Sequence, residues 1–285
     1  MGDILLTGGT GKIGRRLARQ LSERGYSVRV ASRSGVGVEG CGDHVKGIRF
    51  DWHDEGTFGE VIEGVDAAYL VGPEEVAEPL DLVGPFVERA VEEGVKRFVL
   101  VSASPIVKGG PMMGGVHAFL EKYVEEWAVL RPTWFMQNFS EQHYCQTIVE
   151  EGRIYSAMGD GKVGYIDVED IAAVGCEALI GEAAMNRELI LNGPKCLSLD
   201  EVAGLIGGAI GKRIEHVRLS EGEMAKRFEV LGMAEAYARV LAGMETDISH
   251  GSEDYLSREV EIVTGRKPRD FEAYVERTKE VWGEE

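Results

Sequence analysis

Residues 7–14 read Thr7-Gly8-Gly9-Thr10-Gly11-Lys12-Ile13-Gly14 and satisfy both G-x-G-x-x-G and G-x-x-G-x-x-G. They follow a short apolar run and open a helical pattern, the context in which such a turn holds a pyrophosphate. The early glycines permit a tight turn and close approach of backbone to the anion. The last lets the helix pack on the strand, and first-turn N–H groups with the helix dipole attract negative charge. Gly8, Thr10, Gly11, Lys12 and Ile13 are therefore expected to bind a dinucleotide, with the Lys12 ammonium adding positive charge.

The end of the second strand separates two kinds of dinucleotide. A carboxylate there would hold the ribose hydroxyls and repel a 2′-phosphate. The sequence offers Ser32-Arg33-Ser34 instead. A guanidinium at Arg33 can fork onto a phosphate through charge-assisted hydrogen bonds, which favours NADP(H), although a solvated surface arginine has the same sequence. Asp51, at the end of the third expected strand, can accept from an adenine amino group or serve as a plain turn residue.

The elements that must position these groups alternate between apolar runs and helical patterns, which predicts an α/β fold with a doubly wound, Rossmann-type parallel sheet. Strands are expected at 3–7, 27–32, 48–51, 67–71, 97–102, 128–131 and 188–192, and helices near 14–25, 79–93, 115–127 and 169–181. Gly25 is the expected stop of the first helix. From about 198 the pattern turns helical: Ser198 precedes Asp200 and Glu201 as an N-cap, and Val202, Leu205, Ile206 and Ile210 recur at a 3.6-residue period. Further helices are expected at 221–230, 234–248, 253–264 and 270–282. The division expected is 1–197 as the dinucleotide-binding domain, with residues 136–165 contributing to a substrate pocket, and 198–285 as a small, mostly helical lobe on the C-terminal edge of the sheet.

Composition narrows the function classes. The 285 residues are 44% hydrophobic, enough for a substantial core. A formal net charge of −18 repels nucleic acid and anionic membrane. No apolar run is long enough to span a bilayer, and the N-terminus lacks a signal-peptide layout, so the expected compartment is the cytoplasm. Cys41, Cys145, Cys176 and Cys196 are scattered without metal-ligand spacing, which predicts reduced thiols and no metal site. The partner is expected to be a small molecule, and the chain a monomer or homodimer.

Several longer stretches carry a resemblance. They are the glycine turn, Val30-Ala31-Ser32-Arg33-Ser34, Phe98-Val99-Leu100-Val101-Ser102-Ala103-Ser104, Lys108-Gly109-Gly110-Pro111 and Leu130-Arg131-Pro132-Thr133-Trp134-Phe135-Met136-Gln137-Asn138-Phe139-Ser140-Glu141, followed by Ile154-Tyr155-Ser156-Ala157, Gly159-Asp160-Gly161-Lys162 and Val263-Thr264-Gly265-Arg266. Together they resemble the atypical, NmrA-like branch of the short-chain dehydrogenase/reductase superfamily, and within it the festuclavine/agroclavine dehydrogenase group of ergot-alkaloid-type reductases. The resemblance implies NAD(P)-dependent hydride transfer with the nicotinamide near the ends of the fourth to sixth strands. Val71, Gly72, Pro73, Ser102 and Ala103 would then line the cofactor, and Trp134, Phe135 and Asn138 would border the substrate. Trp134 and Phe135 are equally what a core would use.

The superfamily's Tyr-x-x-x-Lys pair is missing: none of the nine tyrosines has lysine four residues later. Aligning Glu121 with the glutamate that often follows the lysine puts His117 at the lysine position and Met113 at the tyrosine position. Hydride addition to a carbonyl builds charge on oxygen and needs a donor. Addition to an iminium neutralises a charge already present, so an acid-poor site fits C=N⁺ reduction. His117 is the one candidate catalytic residue, for orienting the nicotinamide ribose or donating a proton; a helix histidine bonded to a neighbour is the plainer alternative. A redox sensor that binds NADP without turnover, or a quinone reductase, would also suit the missing pair.

Overall fold

The computed structural model describes residues 2–73, 76 and 78–283, with the side chain of His143 left aside. In strand β1 (Asp3–Thr7), Ile4, Leu5 and Leu6 are all fully buried. A strand apolar at successive positions has to be covered on both faces. Helix α1 (Lys12–Glu23) covers one of them: Ile13, Leu17, Ala18 and Leu21 recur at helical spacing and are buried. It stops where Gly25 adopts φ +82° and donates its N–H to the Ser22 carbonyl at 2.9 Å, a left-handed helix ending.

Next come β2 (Val28–Ser32), β3 (Val45–Arg49), α2 (Phe58–Ile62), β4 (Val65–Leu70), α3 (Leu80–Glu92), β5 (Arg97–Val101), α4 (Met113–Tyr123) and β6 (Glu126–Pro132). After α5 (Asn138–Glu141), α6 (His143–Glu151), β7 (Arg153–Ser156) and β8 (Lys162–Val163) come α7 (Val168–Ile180) and β9 (Arg187–Leu191). Seven strands form one parallel sheet in the order β3-β2-β1-β4-β5-β6-β9. On one face Leu5, Ala31, Leu70, Phe98 and Leu100 meet Phe58, Val83, Phe86 and Leu120 from the helices. On the other, α1 and α7 lie together, and Gly175 faces Leu17 and Tyr69. This is the doubly wound Rossmann arrangement. The strand order reverses between β1 and β4, the place where such sheets bind ligands.

The chain divides into two compact units: one holds the residues up to Pro132, Val168–Leu191 and Ile262–Gly265, the other Thr133–Asp167, Asn192–Glu261 and the residues from Arg266 on. The units thus do not divide at 197/198; the segment 133–167 counts with the later residues. The second unit adds β10 (Leu197–Ser198), α8 (Leu199–Ile210), β11 (Glu215–Arg218), α9 (Glu221–Val230), α10 (Glu235–Ser249), α11 (Glu259–Thr264, its end counted with the first unit) and α12 (Phe271–Thr278). From 199 on it is mostly helical, as its sequence implies, with β11 pairing with β7 and, just ahead of α8, β10 pairing with β8. Ser198 caps α8 through a capping box with Glu201.

Three boundaries differ from the sequence reading for identifiable reasons. The fourth helix ends at Tyr123, not 127: Glu126 and Trp127 pair with Arg97 and Phe98 of β5, and Asn186 Oδ1 accepts the Trp127 N–H at 2.9 Å. Residues 253–258 are not helical, because the Asn192 amide holds the Tyr255 carbonyl and the Ser257 N–H, each at 3.0 Å. The third strand runs 45–49, not 48–51, so Asp51 stands two residues beyond it. Among the described residues no helix is long and apolar enough to cross a membrane.

Candidate active site

The glycine elbow is held by Thr7, whose hydroxyl accepts the Val71 N–H at 2.8 Å and ties the end of β1 to the end of β4. Gly8 then takes φ +63°, and a β-carbon on it would lie 2.9 Å from Val71 Cβ. A β-carbon at Gly14 would stand 2.4 Å from the Gly8 carbonyl oxygen. Only glycine lets α1 seat this closely on the turn. Gly11 is the N-cap of α1 and offers no side-chain cap, which leaves that helix end suited to an anion.

In front of the elbow lies a cleft of about 460 Å³, lined at the strand ends by Gly8, Thr10, Ser32, Arg33, Ser34, Asp51, Val71, Gly72 and Pro73, together with Ala31, Phe50, Trp52 and His53. The first nine are residues that the sequence singles out. Gly11, Lys12, Ile13, Ser102 and Ala103 are not in the lining; Ile13 is packed in the core at 7% exposure. Asp51 is the carboxylate of the lining, and its Oδ1 accepts the His53 N–H at 3.0 Å. Arg33 is exposed. The Ser102 hydroxyl is buried with no hydrogen-bond partner.

Trp52 and His53 were not anticipated. Trp52 donates its indole N–H to the Val71 carbonyl at 3.2 Å and sits edge-on to Phe50 at 4.8 Å. Their signal was available: every strand of such a sheet delivers its following residues to the ligand-binding edge, and these two follow Asp51.

Met113, at the tyrosine position, packs on the cleft wall: a β-carbon on Gly72 would come 1.8 Å from its Cε. His117 lies outside the lining at 2% exposure. Its ring is 5.7 Å from that of Trp127, and its Nδ1 is 3.8 Å from Glu188 Oε2. Burial lowers its pKa, with Glu188 acting in the opposite direction. Arg131 shares Glu188 at 2.8 Å and donates to the Ser104 carbonyl. Glu121 pairs with Lys108 at 2.8 Å on the surface.

In the second unit Trp134, Phe135 and Asn138 occupy one half-buried turn. It runs beside 164–166: Thr133 Oγ1 donates to the Gly164 carbonyl at 2.6 Å, Ile166 N–H to the Trp134 carbonyl at 3.0 Å and Met136 N–H to the Ile166 carbonyl at 2.9 Å. Gln137 next donates to the fully buried Asp167 at 2.8 Å, which also accepts from Arg277 of α12 at 2.6 Å. Trp134 packs against a core that includes Phe139, Tyr144 and Tyr165.

The family model that matches is the NmrA-like family, over residues 2–275. The chain belongs to the NmrA-like family. Among relatives of this NmrA-like protein, an oxidoreductase of Bacillus subtilis (strain 168) is 39% identical over 98% of this chain and 96% of its own length. Agroclavine dehydrogenase of Claviceps fusiformis is 41% identical over 98% of each chain. A solved NADPH-dependent quinone oxidoreductase of Escherichia coli, complexed with NADPH, shares the fold at a TM-score of 0.79 with 20% identity, covering 96% of this chain and 99% of that one.

Proposed function

We propose that this protein is an NADPH-dependent reductase delivering hydride to a small organic substrate that carries an iminium or similarly electron-poor double bond. The observation that carries the reading is the Met113 thioether packed on Gly72, a wall residue of the cleft, where a carbonyl reductase would present a phenol. A thioether donates no proton. Charge developing on a carbonyl oxygen would have no donor there, whereas an iminium nitrogen gains its electron pair and needs none.

When bound, NADPH supplies the hydride. The residues present fit it. The left-handed Gly8, the close seat of Gly14 and the uncapped end of α1 suit a diphosphate. Arg33 between Ser32 and Ser34 suits a 2′-phosphate, since β2 ends without a carboxylate. Ser102 brings an unpartnered hydroxyl at the end of β5. His117 is read as structural, because it is buried with Trp127 and Glu188. Trp134, Phe135 and Asn138 are read as bordering the substrate. Relatives spanning 98% of the chain are named as a dehydrogenase and an oxidoreductase, which supports turnover over a sensor role.

The test is NADPH oxidation with N-methyl-3,4-dihydroisoquinolinium beside simple ketones and a benzoquinone. The iminium is expected to be consumed with one NADPH per amine formed. Preferential turnover of ketones would overturn the iminium reading, and saturable NADPH binding with no turnover of any class would favour a sensor.

A further inference from the structure

Strand β4 ends at Leu70, and Val71, the next residue, stands in the wall of the cleft. Side chains from two other segments take hold of its backbone there. Thr7 Oγ1 accepts the Val71 N–H at 2.8 Å, and the Trp52 indole N–H donates to the Val71 carbonyl at 3.2 Å. The two holds are unequal. The Thr7 hydroxyl has one hydrogen for two carbonyls, those of Tyr69 and Val71, each at 3.2 Å. An indole N–H is a donor only, and that of Trp52 is given to Val71.

What Val71 does next is seat the elbow. A β-carbon on Gly8 would lie 2.9 Å from Val71 Cβ, so the left-handed Gly8 rests directly on the Val71 side chain. Trp52 is itself fixed from behind. Its ring stands edge-on to Phe50 at 4.8 Å and to Phe86 at 5.3 Å, and both of those rings are buried in the core. The core thus holds the indole, the indole holds the Val71 carbonyl, and Val71 supports Gly8. Packing alone does not ask for an indole nitrogen, because a phenylalanine ring could stand edge-on in the same place. Without the N–H, Val71 would keep a loosened carbonyl beside a site meant for an anion.

We propose that Trp52 is a positioning residue for the dinucleotide: acting through Val71, its indole N–H sets the seat of Gly8 and with it the diphosphate cradle. The proposal rests on the reading that this cleft holds the NADPH diphosphate at Gly8. The role lies in binding. β3, which delivers Trp52, is the neighbour of β2, whose end carries Ser32 and leads into Arg33.

The test uses the full chain with two ligands, NADPH and 2′-phospho-ADP-ribose, which keeps the diphosphate and lacks the nicotinamide. Calorimetry gives their affinities and urea unfolding gives stability. Trp52→Phe keeps a ring beside Phe50 and Phe86 and removes only the N–H. It is expected to weaken both ligands by the same factor, about two- to tenfold, the worth of one hydrogen bond. Phe86→Leu loosens the same aromatic cluster and leaves the N–H in place. It is expected to lower the urea midpoint more than Trp52→Phe does, yet to keep both affinities within about twofold. Unchanged affinities in Trp52→Phe would overturn the proposal. So would an equal loss in Phe86→Leu, since packing and not the bond would then govern binding. Arg33→Ala, at an exposed position of the same cleft, separates this failure from a failure of the cleft reading: if it too leaves NADPH affinity unchanged, the cofactor lies elsewhere and both fall.

Discussion

The terminal methyl of Met113 lies against the backbone of Gly72, so close that a β-carbon on Gly72 would come 1.8 Å from it. The contact joins the start of α4 to the cleft wall. Gly72→Ala must displace the far end of a flexible side chain, a local overpacking of about 1–2 kcal/mol. Met113→Ala opens the space, so the double variant should recover at least half of that loss. Urea unfolding of the two single variants and the double variant measures the coupling; additive losses would show that the two residues do not share the strain.

Arg33 provides the next prediction. It is the guanidinium of a cleft whose one lining carboxylate, Asp51, is engaged with the His53 N–H. Arg33→Ala removes a charge-assisted hydrogen bond worth about 1.5–3 kcal/mol. NADPH affinity should fall about 10- to 100-fold while NADH affinity stays nearly constant. Calorimetry with both cofactors checks this, and equal losses for the two would place the 2′-phosphate elsewhere.

The legible part of the site was the part fixed by local rules. Gly8, Gly11 and Gly14 announce the elbow because turn, cradle and helix seat each need a missing β-carbon at a set spacing. Ser32-Arg33-Ser34 is readable because Val28, Val30 and Ala31 mark the strand before it and no acid stands at its end. Trp52 and His53 were hidden by placing β3 three residues late, which made Asp51 look like the strand's end. Helix α4 ran on in the sequence reading because Lys122-Tyr123-Val124-Glu125 has no breaker, and pairing with β5 overrides that propensity. The hydrogen bond from the Tyr144 hydroxyl to Glu245 joins residues 101 apart, and no period or motif connects them.

His117 ties structure to pH. Burial lowers its pKa from the ordinary value of about 6.5, so the unfolded chain binds a proton that the folded chain refuses. Below about pH 6.5 the unfolded state is favoured, and stability falls with pH at up to about 1.4 kcal/mol per unit, towards the folded pKa. Above 6.5 the effect vanishes. His216 is lowered in the same direction by burial, so His117→Gln should remove only part of the acid slope. Denaturation at pH 5.5 and 7.5 measures it. The same variant should keep NADPH affinity and turnover at pH 7.5 near wild type, and abolished turnover would return His117 to the catalytic machinery.

Asp167 offers a prediction about how the Trp134 turn is anchored. It is fully buried and accepts from Gln137, three residues beyond Trp134, at 2.8 Å and from Arg277 at 2.6 Å. Arg277 itself is half exposed, so as a surface cation its removal would cost little. Its partner is not exposed, and taking away Arg277 leaves a buried carboxylate short of one charge-assisted bond. Arg277→Ala should therefore cost about 1–3 kcal/mol, well above the near-zero median of surface ion pairs. Arg277→Lys restores charge without the fork and should recover only part of the loss. If the alanine variant unfolds at the wild-type urea midpoint, α12 is not what holds Asp167, and the turn carrying Trp134 takes its rigidity from Gln137 and from its pairing with 164–166.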